Sequence, residues 1–277
     1  MNDGKLKIAG VQMDILIGEP STNLAAMEKH IRETTAAGAW LTVFPECTTT
    51  GYCFESFEEA SQYAQPADGP SFQKVRELCS QYDTRIVYGY LESEENKIFN
   101  SLALVGPDGL LGSYRKVHLP TLGVDRFTTP GDGFQVFDLA TVRIGMCICY
   151  DSSFPEAARV LTLEGADLIV LPTNWPPTSG LTADVIPAAR ALENHVYFMA
   201  INRIGRERGF EFIGKSRICD PSGAILDIAD HNERATLYAE IDPEFARAKH
   251  RVSIPGAHEV HRIDDRAPVT YKRIAEG

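Results

Sequence analysis

The chain has 277 residues, of which 44% are hydrophobic and 23% are charged, a composition typical of a soluble globular protein. Its 38 acidic and 27 basic residues give a net charge of −11. This disfavours a nucleic-acid partner, because nucleic-acid affinity comes largely from Lys and Arg side chains that neutralise phosphates. No stretch approaches the roughly 18 apolar residues of a membrane span, so we predict no membrane association.

The length of the chain allows a large hydrophobic core without cross-links or metals. We predict a single domain over residues 1–277, with a core at about residues 5–241 and a polar C-terminal arm at about residues 242–277. The six cysteines are scattered along the chain, and the N-terminal segment lacks the features of a secretory signal. We therefore expect reduced thiols and a cytoplasmic location.

The first half of the chain alternates strands with amphipathic helices. A strand at residues 6–12 precedes a helix opened by Ser21, and a second helix carries apolar residues at helical spacing. Pro107 and Gly109 predict a turn at residues 106–109, which would join two strands in a hairpin. The predicted strands of this half are residues 6–12, 40–44, 85–91, 98–105 and 110–118.

The second half repeats the alternation after a loop rich in Pro, Gly and Thr at residues 119–133. Helices are predicted at residues 154–164 and 183–194. Strands are predicted at residues 142–149, 168–171, 196–202, 210–218 and 224–228. This order of elements predicts mixed sheets flanked by helices, an α/β fold.

Two local motifs match ligand-binding patterns but have simpler explanations. Residues 209–216, GFEFIGKS, satisfy the phosphate-loop pattern, yet the turn that follows leaves no room for the helix that such a loop requires. We therefore interpret the segment as a strand. His258 and His261 have a spacing that could begin a metal site on a helix, but no third ligand accompanies them. We predict no metal site and no cofactor.

Three reactive side chains lie at or near the carboxyl ends of three predicted strands: Glu46, Lys116 and Cys149. Ligand sites in open α/β sheets gather at such ends, and a carboxylate, an ammonium and a thiol form a sufficient set for acyl transfer. Cys147 shares a face with Cys149 by the two-residue period but lies further inside, so we expect a buried core thiol. Each residue alone is also explained as a cap, a surface charge or a core thiol.

The segments around these residues resemble the three signature segments of the nitrilase superfamily of carbon–nitrogen hydrolases. They read FPECTTTGY at residues 44–52, YRKVHLP at residues 114–120 and GMCICYDSSFPEAAR at residues 145–159, in the same order as in the family. Supporting similarity runs from KIAGVQ near the start to GKSRICDPSG. The resemblance extends over about residues 5–241, nearly the whole chain.

The resemblance implies a four-layer α-β-β-α sandwich and a Glu46-Lys116-Cys149 triad. In the implied reaction Glu46 takes the thiol proton and Cys149 attacks a carbonyl carbon, while Lys116 also favours the ionised thiol. Lys116 and the backbone N–H of Tyr150 stabilise the oxyanion. Ammonia or an amine leaves, and water hydrolyses the thioester without a cofactor. The resemblance also implies a homodimer or a larger homo-oligomer.

Two departures from the family pattern affect the prediction. Many members carry a further glutamate in the loop after the lysine, whereas the only carboxylate between Lys116 and Pro130 here is Asp125. Asp125 is the candidate replacement for this glutamate, and a loop-tip or capping aspartate is the alternative.

Nitrile-hydrolysing members typically have Trp-Glu after the cysteine, whereas Cys149 is followed by Tyr150 and Asp151. This difference favours amides over nitriles.

We therefore predict an amidase-type hydrolase that cleaves a non-peptide C–N bond in a small linear amide. An N-carbamoyl amine or amino acid is the alternative substrate. A catalytically silent binding protein and a nucleotide-binding enzyme are alternatives of other classes. Tyr52, Asn174 and Trp175 are candidates for the substrate pocket, although Trp175 is equally well explained as a core or interface aromatic.

Overall fold

Two six-stranded mixed sheets lie at the centre of the computed structural model, which describes residues 4–276. The strands are β1 (Leu6–Gln12), β2 (Leu41–Val43), β3 (Arg85–Glu94), β4 (Lys97–Gly106), β5 (Gly109–Arg115), β6 (Val136–Asp138), β7 (Arg143–Met146), β8 (Leu168–Thr173), β9 (Tyr197–Asn202), β10 (Ile204–Glu207), β11 (Phe210–Ile213), β12 (Ser216–Cys219), β13 (Ile225–Ala229), β14 (Ala235–Ile241), β15 (His250–Ile254) and β16 (His258–His261). The α-helices are α1 (Pro20–Ala36), α2 (Phe57–Ser61), α3 (Pro70–Tyr82), α4 (Pro155–Leu163), α5 (Gly180–Asn194), α6 (Pro243–Arg247) and α7 (Lys272–Ala275).

The first sheet has the strand order β14-β1-β2-β3-β4-β5. Its central strands β1, β2 and β3 are parallel neighbours, and β3, β4 and β5 form an antiparallel meander. The predicted turn at residues 106–109 joins β4 to β5, which confirms the hairpin. Helices α1 and α3 cover the outer face of this sheet through buried apolar side chains, among them Met27, Ile31, Phe72 and Val75.

The second sheet has the order β13-β12-β9-β8-β7-β6, with β7, β8 and β9 parallel. Helix α4 lies against β7, and α5 lies against β9 and β12. The largest apolar cluster joins both sheets and includes Ile8, Val43, Ile169 and Ile201. The sheets meet so closely that a Cβ on Gly10 would overlap the side chain of Ile201. The layers therefore run helix, sheet, sheet, helix, which confirms the predicted sandwich.

Three predicted strands are wrong in their extent, and the one predicted at residues 110–118 ends at Arg115. The strand predicted at residues 142–149 ends at Met146, because the backbone N–H of Ile148 donates to the side chain of Asp151 instead of a neighbouring strand. The strand predicted at residues 210–218 is two strands, β11 and β12, separated by Gly214 and Lys215. Both residues have left-handed φ angles, +64° and +60°, and redirect the chain from the β10–β11 hairpin into the second sheet.

The chain after Asp242 contains α6, the exposed β15–β16 hairpin and α7. His258 and His261 lie on β16, so their spacing does not place them on adjacent helical turns. The two-residue period of a strand puts them on opposite faces. Among the described helices, none is long and apolar enough to cross a membrane.

Candidate active site

Glu46, Lys116 and Cys149 lie together at the carboxyl ends of three strands. Glu46 follows β2, Lys116 is the first residue after β5, and Cys149 begins a 3-10 turn after β7. The Lys116 ammonium donates to Glu46 Oε1 at 2.8 Å, and both side chains are fully buried. The charges of these two residues both act on the thiol of Cys149. The structure therefore brings the three sequence-predicted residues together where the two sheets meet.

The backbone at Glu46 packs directly on β3. The next residue, Cys47, has a left-handed φ of +49°. Gly89 of β3 lies beneath this turn, and a Cβ there would overlap the backbone nitrogen of Cys47 and lie 2.8 Å from Cα of Glu46. The Gly89 N–H donates to the carbonyl of Pro45 at 3.2 Å. The missing side chain at Gly89 thus allows the close approach that holds Glu46 in the cluster.

Asp125 enters the same cluster from the loop after Lys116. Its Oδ2 accepts from Lys116 Nζ at 2.6 Å and from the Tyr52 hydroxyl at 2.8 Å. Its side chain is fully buried on a short 3-10 segment, Gly123–Arg126. The buried side chain of Asp125 therefore contacts Lys116, and its catalytic role, like the alternative of a loop-tip or capping aspartate, stays a prediction.

Sequence reasoning missed Asn100, a fully buried residue on β4. Its Nδ2 donates to Glu46 Oε1 at 2.7 Å and to Asp125 Oδ1 at 2.9 Å, while its Oδ1 accepts from the Cys47 thiol at 3.6 Å. One neutral amide thus bridges two carboxylates that would otherwise repel each other. The signal in the sequence was the polar pair Asn100 and Ser101 inside an apolar strand.

Burial governs the protonation states of the cluster. It raises the pKa of the Glu46 carboxyl above its usual value; Lys116 opposes this effect and Asp125 adds to it. Burial alone would lower the pKa of Lys116, but Asp125 and Glu46 raise it well above its usual value, so the ammonium persists. The cluster therefore combines a permanent cation with a carboxylate that accepts a proton more readily than an exposed one.

The surroundings of the Cys149 thiol favour its neutral form. Burial, followed by the negative charge of Glu46, raises the pKa of Cys149 well above its usual value, against the opposing effect of Lys116. The expectation that Lys116 favours the ionised thiol stays a prediction; its charge lowers the pKa of Cys149, whereas burial and Glu46 raise it. A neutral thiol is a weak nucleophile unless an adjacent base removes its proton.

The turn that carries Cys149 is conformationally strained. Cys149 has a φ of +42°, in the left-handed region that few non-glycine residues adopt. The backbone N–H of Asp151 donates to the carbonyl of Ile148 at 2.9 Å, and the Ser152 hydroxyl donates to the carbonyl of Cys149 at 2.7 Å. These hydrogen bonds fix the backbone of the turn. Cys149 is 9% exposed to solvent there, whereas Cys147 lies in the core and is 1% exposed.

Tyr150 and Asn174 flank the nucleophile turn. Tyr150 is the second residue of the 3-10 segment Cys149–Ser153, where its backbone N–H has no acceptor within the turn. Asn174 follows β8, a strand that contacts the turn of Cys149. Within residues 4–276, neither polar atom of the buried Asn174 side chain has a hydrogen-bond partner. Buried polar groups are rarely left unpaired, so this carboxamide is a candidate ligand contact.

Tyr52 and Trp175 are both buried beside the cluster. The Tyr52 hydroxyl is engaged by Asp125, and Lys116 Nζ lies 6.0 Å from the centre of the Tyr52 ring. Trp175 belongs to the main apolar core, and its backbone N–H donates to Asn202 Oδ1 at 2.8 Å. The structure thus places Tyr52 against the charged residues and Trp175 in the core next to Asn174. Contact of either side chain with substrate stays a prediction.

The chain matches known proteins along most of its length. The family model for Carbon-nitrogen hydrolase matches residues 7–251. The chain is 41% identical to a protein named Nitrilase from Pyrococcus abyssi (strain GE5 / Orsay), over 88% of this chain and 92% of that protein. It is 33% identical to the N-carbamoylputrescine amidase of Arabidopsis thaliana, over 91% and 89% of the two chains. The crystal structure of a carbon-nitrogen hydrolase from Helicobacter pylori G27 shares the fold, with a TM-score of 0.85 at 22% identity over 98% of each chain.

Proposed function

The chain belongs to the carbon–nitrogen hydrolase family, and from this premise we propose that it cleaves a small linear amide through a thioester on Cys149. The observation that carries the proposal is the asymmetry of the Glu46 carboxylate. Its Oε1 accepts from Lys116 and Asn100, whereas its buried Oε2 has no hydrogen-bond partner in the described part of the chain. One oxygen is fixed and the other is free to take a proton.

Glu46 acts as the general base in this proposal. The raised pKa of Cys149 favours the neutral thiol, so in this proposal the proton leaves as sulfur attacks the carbonyl carbon. The raised pKa of Glu46 suits this role, because a base works best when its pKa approaches the working pH. The proton moves from Sγ to Oε2, and the new S–C bond turns the carbonyl oxygen into an oxyanion.

Lys116 and the backbone N–H of Tyr150 stabilise that oxyanion. Lys116 is buried and keeps its charge, so it acts where little water screens the interaction. The intermediate then collapses, the C–N bond breaks, and Glu46 returns the proton to the leaving nitrogen as ammonia or an amine departs. Glu46 next activates a water molecule, which hydrolyses the thioester to the carboxylic acid and restores the thiol.

Asn174 is the proposed recognition group for the substrate. Its side chain is buried next to the nucleophile turn, and within residues 4–276 neither its amide NH₂ group nor its amide oxygen has a hydrogen-bond partner. A planar carboxamide offers the matching acceptor and donor, whereas a linear nitrile lacks the donor. Unpaired buried groups left by the wrong substrate cost about 1–3 kcal/mol each, which supports a preference for amides. We also propose that the side chains of Tyr52 and Trp175 form part of the wall of the substrate pocket.

An N-carbamoyl amine is the second candidate substrate. The chain is 33% identical to a relative named N-carbamoylputrescine amidase, and a carbamoyl group presents the same carbonyl and NH₂ as a carboxamide. The relative that is 41% identical is named Nitrilase, so nitriles belong in the test as well. Family membership makes the chain a hydrolase of non-peptide C–N bonds and disfavours the catalytically silent and nucleotide-binding alternatives.

The experiment is ammonia release from linear amides, N-carbamoyl amines and nitriles of matched chain length, with the purified protein and its Glu46→Gln variant. We expect turnover of amides, little of nitriles, and a loss of about 10²–10⁴-fold in Glu46→Gln. Comparable kcat/KM for an amide and its matching nitrile would overturn the substrate preference. Unchanged turnover in Glu46→Gln would overturn the assignment of the base.

We also propose a homodimer or larger homo-oligomer. The support is a set of exposed apolar side chains on the outer helices α4 and α5: Val160, Leu163, Leu181, Val185 and Leu192. Large exposed apolar surfaces are unusual on monomeric proteins. Light scattering after size-exclusion chromatography tests this proposal, and a monomer at micromolar concentration would contradict it.

A further inference from the structure

One buried carboxylate outside the proposed triad, that of Asp151, accepts four hydrogen bonds. Asp151 Oδ2 accepts from the Tyr114 hydroxyl at 2.7 Å and from the backbone N–H of Ile148 at 2.8 Å. Its Oδ1 accepts from the backbone N–H of His118 at 3.0 Å and from His118 Nδ1 at 2.9 Å. The Asp151 side chain is fully buried. Both of its oxygens are therefore saturated by donors from the protein itself.

The positions of these donors connect the two sheets. Tyr114 and His118 lie two residues before and two residues after Lys116, at the end of β5 in the first sheet. Ile148 and Asp151 enclose Cys149 in the turn that leaves the second sheet. A single carboxylate thus joins the segment that carries the ammonium to the turn that carries the thiol.

We propose that Asp151 is a positioning residue, which fixes the separation and orientation of Cys149 and Lys116. The inference rests on the thioester chemistry proposed above. Cys149 has a left-handed φ, a conformation that persists only when its surroundings enforce it. Asp151 supplies that constraint, because its side chain and backbone both bond to Ile148 at the start of the turn.

The proposed role requires a carboxylate and not merely a polar side chain of the same shape. The four contacts all come from N–H or O–H donors, and an ionised carboxyl offers acceptors alone. An asparagine would replace one oxygen with an NH₂ group that faces donors. The backbone N–H of Ile148 or that of His118 would then lose its acceptor, and one of the two segments would shift.

The test compares Asp151→Asn with Asp167→Asn as a matched control. Asp167 is also a buried aspartate, 2% exposed, and it accepts from the backbone N–H of Arg143 at 2.9 Å and from Arg247. It lies just before β8, at the end of the strand opposite the site. We expect kcat to fall by about 10²-fold in Asp151→Asn with KM changed less than twofold, because small misplacements of reacting groups have effects of this size. Asp167→Asn should keep the wild-type kcat while its Tm falls.

A milder variant covers the case in which Asp151→Asn does not fold. Tyr114→Phe keeps the ring in the core and removes only the hydroxyl, which donates to Asp151 and accepts from the backbone N–H of Val117 at 3.3 Å. The link to the first sheet therefore weakens while Ile148 stays bonded. We expect kcat to fall about tenfold, with the rate of Cys149 alkylation by iodoacetamide falling in parallel. Wild-type kcat in either folded variant, or an equal loss in Asp167→Asn, would overturn the inference.

The same assay separates this inference from the proposed function. If Cys149→Ala keeps its activity, the thioester mechanism fails and Asp151 has no nucleophile to position. If Cys149→Ala is inactive while Asp151→Asn and Tyr114→Phe turn over normally, the mechanism stands and the positioning role alone fails.

Discussion

Lys116 donates to Asp125 Oδ2 at 2.6 Å, a shorter contact than the 2.8 Å between the same ammonium and Glu46 Oε1. Asp125 therefore restrains the position of the ammonium at least as closely as the proposed base does. Asp125 also follows Lys116 by only nine positions in the sequence, so the short loop between them and the opposite charges both keep the two side chains together.

Replacement of Asp125 by Asn should lower kcat/KM by about 10²-fold, because Lys116 would lose a charged partner that orients it toward the oxyanion. The substitution keeps the size of the side chain, so we expect a folded protein. Steady-state kinetics on the best amide substrate measure the effect. An unchanged kcat/KM would return Asp125 to a purely structural role in its loop.

The two cysteines of the signature segment should respond differently to truncation. Cys149→Ala should leave the protein folded but reduce turnover by about 10⁴–10⁶-fold, as expected for loss of a nucleophile. Cys147→Ala should cost about 1 kcal/mol of stability, because it truncates a small side chain in the core, and should keep its turnover. Thermal melts and ammonia release on both variants check this pair, and equal activity in the two would contradict it.

The pH dependence of kcat/KM should show an acid limb set by Glu46. The base must be ionised, and its pKa is raised above the usual 4.5, so activity is present above the raised pKa and is lost as pH falls through it. Because the pKa of Cys149 is also raised, we expect no alkaline limb from the thiol below its usual pKa of 9.0.

The negative charge of Asp125 contributes to the raised pKa of Glu46, so Asp125→Asn should move the acid limb to lower pH. A limb that stays in place would contradict this electrostatic coupling.

Gly89→Ala should shift the backbone of Glu46, although the two residues are far apart in the sequence. The added methyl group would overlap the backbone at Cys47, and overpacking of this kind costs about 1–3 kcal/mol. We expect a lower Tm and a lower kcat, since the backbone of the proposed base must shift. Gly133→Ala is the control, because no heavy atom lies within 4 Å of its Cβ position. Similar effects of the two substitutions would show that the close approach at Gly89 is unimportant.

The sequence predicted the layers of the fold and the meeting of Glu46, Lys116 and Cys149. The periods of apolar strands and amphipathic helices predicted mixed sheets flanked by helices, and Glu46, Lys116 and Cys149 were each placed at the end of a strand. The four-layer arrangement and the triad were implied by the resemblance to the family. The three residues also stand in segments that resemble the family signatures. The hairpin at residues 106–109 followed from local turn chemistry, which needs no tertiary information.

What the sequence could not predict depends on contacts between distant segments. Asn100 precedes Asp125 by 25 residues and follows Glu46 by 54, so its bridge between their carboxylates exists only in the folded chain. The early end of β7 likewise depends on a side chain, because Asp151 takes the N–H of Ile148 that a strand partner would otherwise bind. The spacing of apolar residues does not show that a side chain competes with a neighbouring strand for a backbone N–H.

The central claim is that Cys149 forms a thioester with the acyl part of the substrate, and the most direct measurement is intact-protein mass spectrometry of acid-quenched reactions with the best amide. The account predicts an added mass equal to the acyl group, mapped by peptide analysis to residue 149, in the wild-type enzyme. The adduct should be absent from Cys149→Ala and present in Cys147→Ala. Normal turnover by Cys149→Ala, or an adduct on another residue that forms and decays at the turnover rate, would contradict the account.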